Sequence, residues 1–221
     1  MDLKQDDRAF DQPYIVMEIL GYGEDALTLW SLKNKFGFIL DALKDPSDIS
    51  KCRAFFRPSF GRSGGNNSSQ FGEFDFIILA EQHIYLGESK WDKSSERILN
   101  GFMDMRAEQL LRHKLFTFYV DEWAFGEYTD WGEFESRGKE LLRQQGIDKP
   151  IAPAGSLLAT NLQTVLGIIR DHYPSKPEIR NVLLYFYNGA IGGKPVKEAG
   201  NDFEVVTLDY SKDVSGNYNL L

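Results

Sequence analysis

Apolar side chains in the first third of the chain recur at the spacing of one helical face. Between Glu24 and Leu43 these positions are Leu27, Trp30, Leu32, Phe36, Ile39 and Leu43. The pattern predicts a single amphipathic helix. It should end at Asp45-Pro46, because the residue before a proline disfavours helical backbone angles.

A second helix is predicted from Ser94 or Ser95, where Glu96 follows as a start signal, to about Tyr119. Its inward positions would be Ile98, Phe102, Met105, Leu110 and Phe116. Two further helices are predicted at about 133–145 and 156–172, the latter closed by Pro174.

Two short runs are apolar on both faces, which is typical of central strands: GEFDFIIL at 72–79 and IYLGESKW at 84–91. The polar residues 80–83 between them suit a hairpin loop. Strands are also predicted at 181–187 and 203–209. Because helices and strands alternate, we expect one α/β domain spanning residues 1–221, with a central mixed β-sheet flanked by helices.

The hairpin brings acidic and basic side chains together. A two-residue and a four-residue loop give the same register, in which Asp75 lies opposite Glu88 and Glu73 lies opposite Lys90. Since side chains alternate along a strand, all four should share one face of the sheet. Glu73 would be either a second acid of the site or a partner that satisfies Lys90. Carboxylates opposed in an apolar sheet repel each other, so this arrangement predicts a compensating cation.

The chemistry of this cluster suits a hard divalent ion. Oxygens of Asp75 and Glu88, the backbone carbonyl of Ser89 and several waters would satisfy octahedral Mg²⁺, or Mn²⁺ in its place. Lys90 would position or deprotonate a metal-activated water. The predicted reaction is phosphodiester hydrolysis.

These two runs resemble the PD-(D/E)XK nuclease superfamily, whose core is an acidic residue on one strand and a (D/E)-x-K tripeptide on the next. Asp75 matches the acid and Glu88-Ser89-Lys90 matches the tripeptide, while Phe74 stands where the family name has proline. The resemblance implies a restriction-endonuclease-like core. Its specific part is the short stretch from Gly72 to Lys90.

The same resemblance extends to neighbouring elements. An acidic residue near the start of the first helix would be Glu24, as a further metal ligand. Members often carry a glutamine or basic residue on the helix after the tripeptide. Here Arg106, Gln109 and His113 form one stripe, and Gln109 is the expected site residue.

The distribution of charge points to a local anion-binding surface. With 25 Lys and Arg against 33 Asp and Glu, the net charge of −8 argues against binding nucleic acid by bulk attraction. The window 49–72 nevertheless contains no acid. Its Arg53, Arg57 and Arg62, with Lys51, are interpreted either as phosphate contacts or as an ordinary solvated loop.

Other features of the sequence exclude several classes of protein and of metal site. The single Cys52 rules out an intramolecular disulfide and a cysteine metal cage. No signal peptide or membrane segment is recognisable, so we expect a cytoplasmic protein with no membrane partner. Residues 61–65 match the G-x-S-x-G motif of esterases, but the strand before it and the helix after it are missing, which argues against that enzyme class.

The sequence therefore predicts a Mg²⁺-dependent endonuclease that cuts DNA, of a restriction, defence or repair type. A homodimer would fit the cutting of two strands. The alternative is a non-catalytic module of the same fold that binds nucleic acid or a protein partner, as one subunit of a larger defence or repair assembly. Saturable Mg²⁺ binding that is lost in Asp75→Ala would favour the enzyme.

Overall fold

The computed structural model describes residues 18–58, 60, 73–94, 98–200, 203–215 and 218–221. Its α-helices are α1 (Glu24–Asn34), α2 (Phe36–Ala42), α3 (Ala107–Tyr119), α4 (Trp131–Gln144) and α5 (Leu157–His172). Its strands are β1 (Leu20–Gly21), β2 (Arg53–Phe56), β3 (Phe76–Leu79), β4 (His83–Trp91), β5 (Ile98–Leu99), β6 (Phe102–Met103), β7 (Glu178–Tyr187), β8 (Glu198–Ala199), β9 (Phe203–Asp209), β10 (Val214–Ser215) and β11 (Tyr218–Leu220). None of the helices in these ranges has the length and apolar character needed to cross a lipid bilayer.

A five-stranded mixed sheet forms the centre of the fold, with strand order β2-β3-β4-β7-β9. The first three strands are antiparallel, while β4, β7 and β9 run parallel to one another. A parallel pair needs a long crossover, which α3, α4 and α5 supply between β4 and β7. The predicted α/β class with a central mixed sheet is confirmed.

Helices cover both faces of this sheet. Residues of α3, α4 and α5, among them Phe116, Phe134 and Leu162, pack on one face. Residues of α1 and α2, including Trp30 and Ile39, pack on the other. Because both faces are buried, β3 is apolar throughout and β4 is apolar from Ile84 to Leu86, rather than alternating with polar residues.

The β3–β4 hairpin has the predicted register. Phe76 pairs with Gly87 and Leu79 with Ile84, and the Ala80 N–H donates to the His83 carbonyl at 2.9 Å. A Cβ atom on Gly87 would lie 2.1 Å from the Phe76 ring, so this ring occupies the space of a side chain at position 87. The ladder begins at Phe76 rather than at residue 72, which leaves Glu73 outside it.

The first predicted helix is divided in two. Lys35 leaves the helical region, with φ −125° and ψ 17°, and separates α1 from α2. This break lets Trp30 and Ile39 reach the same core on one face of the sheet. The prediction of one continuous helix was wrong because tertiary packing overrides local periodicity.

The second predicted helix is shorter than expected, since α3 begins only at Ala107. Residues 98–103 form instead the hairpin of β5 and β6. Asn100 and Gly101 at its turn have φ of 55° and 82°. The Asn-Gly pair is itself a strong hairpin signal. The predicted start at Ser95 and Glu96 lies outside the described residues.

The remaining predicted elements are present in the structure, and the short strands β1, β2, β8, β10 and β11 are additions to them. The predicted helices at 133–145 and 156–172 are α4 and α5, whose N-caps Asp130 and Ser156 accept backbone N–H bonds. The strands at 181–187 and 203–209 are β7 and β9. Edge strand β2 lies in the stretch interpreted as a basic loop.

Candidate active site

Four charged residues predicted from the sequence meet at one end of the central sheet. Glu24 opens α1, Asp75 precedes β3, and Glu88 and Lys90 lie near the end of β4. Lys90 Nζ donates to Glu24 Oε1 at 3.0 Å and to the Ser89 carbonyl at 2.6 Å. The Ser89 N–H donates to Asp75 Oδ2 at 2.7 Å. We call Glu24, Asp75, Glu88 and Lys90 the carboxylate–lysine cluster.

Glu88 is buried and held from α3. Gln109 Nε2 donates to Glu88 Oε2 at 2.8 Å, Arg112 donates to Oε1 in a close ion pair, and His113 Nε2 lies 3.1 Å from Oε1. Burial acts to raise the pKa of Glu88, but the His113 bond and the Arg112 charge outweigh it and lower the pKa. Glu88 therefore stays ionised.

The groups that hold Glu88 are themselves fixed. Gln109 Oε1 accepts the Arg106 N–H at 3.0 Å, which directs the amide nitrogen toward Glu88. His113 Nδ1 lies 2.7 Å from Asn181 Oδ1 on β7. Its ring packs between those of Phe74 and Phe203, at centroid distances of 5.0 and 4.8 Å. Helix α3 thus determines the orientation of Glu88.

The pKa of Asp75 is shifted in the opposite direction to that of Glu88. Burial and the charge of Glu88 raise the pKa of Asp75 to about 7, despite the opposing influence of Lys90 and of the Ser89 N–H. Within the described residues, its Oδ1 has no hydrogen-bond donor. A cation placed here would relieve the repulsion between Asp75 and Glu88.

Lys90 is a cation in this arrangement. Burial alone would lower its pKa, but the charges of Glu24 and Asp75 outweigh burial and raise it. A protonated amine cannot accept a proton. Of the two roles expected for Lys90, the geometry therefore favours positioning and charge neutralisation over deprotonation of water.

Glu73 was expected opposite Lys90, and that expectation was wrong. Because β3 starts at Phe76, the Glu73 side chain turns to Arg57, whose Nη2 lies 2.5 Å from Glu73 Oε2. Arg57 also forms a close pair with Asp25, and its N–H donates to the Asp75 carbonyl at 3.0 Å. The partner of Lys90 is Glu24.

The predicted nucleic-acid contacts are dispersed. Arg57 is occupied by two carboxylates, so it is not a free phosphate ligand. Arg53 is exposed on edge strand β2, and Lys51 pairs with Glu81 at 2.7 Å. Arg62 lies outside the described residues.

The donor set fits a divalent ion with few protein ligands. In the described part of the chain, no three His, Cys, Asp or Glu side chains converge closely enough to form a metal cage. Among the residues that the structure describes, no donor reaches Asp75 Oδ1, and a carboxylate offers about four acceptor sites, of which Glu88 uses three. One or two carboxylates with waters is the usual protein contribution to a Mg²⁺ site.

Sequence reasoning named Gln109 and placed His113 on its stripe but missed Arg112 and Asn181. The helical spacing of residues 109, 112 and 113 was a readable signal for Arg112, because i, i+3 and i+4 share one face. No local signal pointed to Asn181. The stripe residue Arg106 serves instead as the N-cap of α3.

Comparisons of the chain with protein-family models, with curated proteins and with solved structures give no match.

Proposed function

We propose that this protein is a Mg²⁺-dependent nuclease that hydrolyses DNA phosphodiester bonds. The observation that carries the proposal is the carboxylate–lysine cluster, in which charged Lys90 is held beside Asp75, which directly precedes β3, and Glu88, which lies on β4. The order of acid, hairpin and E-S-K tripeptide is that of the PD-(D/E)XK superfamily, whose restriction-endonuclease-like core is also a mixed sheet between helices. The family resemblance supports the reaction class.

Each residue has a task that its surroundings suit. Asp75 and Glu88 would hold the cation, and the Ser89 carbonyl would supply a further oxygen. When bound, a divalent cation activates water and neutralises phosphate charge. Lys90 stabilises the charge that develops on the phosphate, and Glu24 keeps its ammonium in place. His113 and Arg112 keep Glu88 ionised, and Gln109 helps to orient it.

One observation favours the alternative of a non-catalytic nucleic-acid or protein-binding module. Three donors from α3 already bind the Glu88 carboxylate. In a non-catalytic module, the sole role of Glu88 would be to anchor α3 to the sheet. In that case Asp75 would bind no cation, and its pKa would stay near 7 when Mg²⁺ is added.

The deciding experiment is incubation of supercoiled plasmid, linear duplex and single-stranded DNA with Mg²⁺, Mn²⁺ or EDTA. Wild type should cut in either metal and not in EDTA, while Asp75→Asn and Lys90→Met should be inactive. Glu73→Gln is the matched control, because Glu73 pairs with Arg57 outside the cluster and its loss should leave cutting intact.

A second readout separates the two functions. Calorimetric titration with Mg²⁺ should show saturable binding in wild type and in Glu73→Gln, and none in Asp75→Asn. Absence of both metal binding and cutting in wild type would refute the nuclease and leave the binding module.

A further inference from the structure

A cleft lies beside the carboxylate–lysine cluster, and its walls come from separate parts of the chain. Its volume is about 610 Å³, and its lining includes Asn100, Gly101, Tyr185, Gly193, Lys194 and Lys197. We call it the lysine cleft. A cavity of this size is within the range that accepts a small organic molecule, or about one nucleotide of a strand.

The cleft begins next to the candidate catalytic residues. Tyr185 on β7 is the register partner of Lys90 on β4. Since register partners in parallel strands point to the same face, the two side chains are neighbours. Tyr185 also lines the lysine cleft, so a strand whose phosphate reaches Lys90 would extend from there into the cleft.

Its two lysines differ from the cations around the cluster. Lys90, Arg57 and Arg112 are all paired with carboxylates. Lys194 and Lys197 are exposed, and among the described residues no acid forms an ion pair with either. In a chain of net charge −8, they are cations left available beside the cluster.

The acidic residue of the cleft is already satisfied. Asp92 lines the same cavity, but its Oδ2 accepts the Asn188 N–H and its Oδ1 accepts the Tyr210 hydroxyl, both at 2.8 Å. Glu198 adjoins Lys197 in sequence without lining the cavity. The charge that the cleft presents to a ligand is therefore positive.

The segment that carries the lysines is held at both ends. The Lys197 N–H donates to the Gly101 carbonyl at 2.8 Å, and β8 pairs in parallel with β6. The Gly193 N–H donates to the Asn188 carbonyl at 2.8 Å. A Cβ at Gly193 would lie 2.7 Å from that oxygen, so the close approach requires glycine. Backbone hydrogen bonds therefore hold the segment that carries Lys194 and Lys197 in place.

We propose that the lysine cleft binds the phosphodiester backbone of the nucleic-acid strand adjacent to the bond that is cut, with Lys194 and Lys197 contacting its phosphates. The proposal rests on the proposed nuclease function for its choice of ligand. It places the strand on the β5–β6 side of the cluster rather than at Arg53 and Arg57.

The test is fluorescence anisotropy with a short labelled single strand and the corresponding duplex, in EDTA so that no cutting occurs. Lys194→Gln/Lys197→Gln should weaken binding about tenfold at low salt. It should also reduce the slope of log affinity against log salt by about 1.4 for a single strand or 1.8 for a duplex, since each phosphate contact contributes about 0.7 or 0.9.

Two control variants isolate the cleft. Lys33→Gln/Lys139→Gln removes the same charge from exposed positions of α1 and α4 and should change affinity less than about twofold. Lys194→Arg/Lys197→Arg keeps the charge and should bind as wild type does, which shows that loss of charge, not of folding, causes the defect.

Three outcomes overturn the proposal: no binding of either probe by wild type, an unchanged affinity in the Lys194/Lys197 glutamine variant, or an equal loss in the Lys33/Lys139 control. The assay is independent of catalysis. A protein that binds through the cleft but does not cut would refute the nuclease alone. A protein that cuts normally without these lysines would refute the cleft alone.

Discussion

The two ends of β4 each adjoin an aspartate, and the two pKa values move in opposite directions. Asp45, near the start of the strand, is buried, and Asp75, beside the other end, is partly buried. Hydrogen bonds from Ser47, Tyr85 and His83 outweigh the burial of Asp45 and lower its pKa to about 2. At the other end, burial and Glu88 raise the pKa of Asp75 to about 7.

The difference lies in what surrounds each carboxylate. Tyr85 donates to Asp45 Oδ2 at 2.6 Å, His83 Nδ1 lies 2.8 Å from the same oxygen, and the Ser47 N–H donates to Oδ1 at 2.8 Å. From the described part of the chain, Asp75 receives one such donor, and Glu88 is its like-charged neighbour. A carboxylate that is saturated with donors and has a lowered pKa is typical of a structural role, whereas one with a raised pKa and few donors is typical of a functional site.

The largest expected effect is at Asp75, at the end of β4 that carries the candidate active site. Asp75→Asn should reduce cutting at least about a thousandfold, because removing one charged group that acts in the transition state costs about a hundred- to a thousandfold and here a metal ligand is lost as well. The same change removes repulsion with Glu88 while keeping an acceptor for the Ser89 N–H. Urea unfolding should show unchanged or increased stability, and a large loss of stability would mean that Asp75 is structural.

A substitution of Asp45, at the start of β4, should have the opposite effect: a loss of stability without a loss of cutting. Asp45→Asn should lower the free energy of unfolding by about 2 kcal/mol, because ionised Asp45 accepts three hydrogen bonds in a buried position. Cutting by the folded variant should be unaffected. The measurement is urea denaturation followed by tryptophan fluorescence, and a variant as stable as wild type would remove the distinction between the two aspartates.

The smallest expected effect is the pH dependence of the stability difference between wild type and Asp45→Asn. The folded pKa of Asp45 is lowered from 3.8 to about 2, so its contribution is fully present above pH 4 and is lost as the pH falls through 2. Between pH 7 and pH 3 the stability gap between wild type and Asp45→Asn should narrow by about 1 kcal/mol. A gap that stays constant or widens on acidification would contradict this assignment.

Much of the scaffold around the candidate site could be predicted from local patterns. The register of β3 and β4 followed from the loop length at residues 80–83, and α4 and α5 lie where helices were predicted at about 133–145 and 156–172. The Asn100-Gly101 pair was a readable hairpin signal, but the apolar spacing of the same segment favoured the prediction of a helix there.

The charged contacts were less predictable. Glu24 and Lys90 are far apart in sequence, and only the packing of α1 beside the end of β4 brings them to 3.0 Å. The pairing of Glu73 with Arg57 depends on where β3 begins, which apolar alternation does not specify.

The sequence by itself determined that Asp75, Glu88 and Lys90 would share one end of a hairpin, because strand pairing and side-chain alternation follow from residues close along the chain. Only the tertiary structure decided which charges those residues carry and which partners they hold. Glu88 receives its donors from α3 and Lys90 its carboxylate from α1. Such long-range contacts arise from packing of the whole core, which leaves no signal in a local pattern.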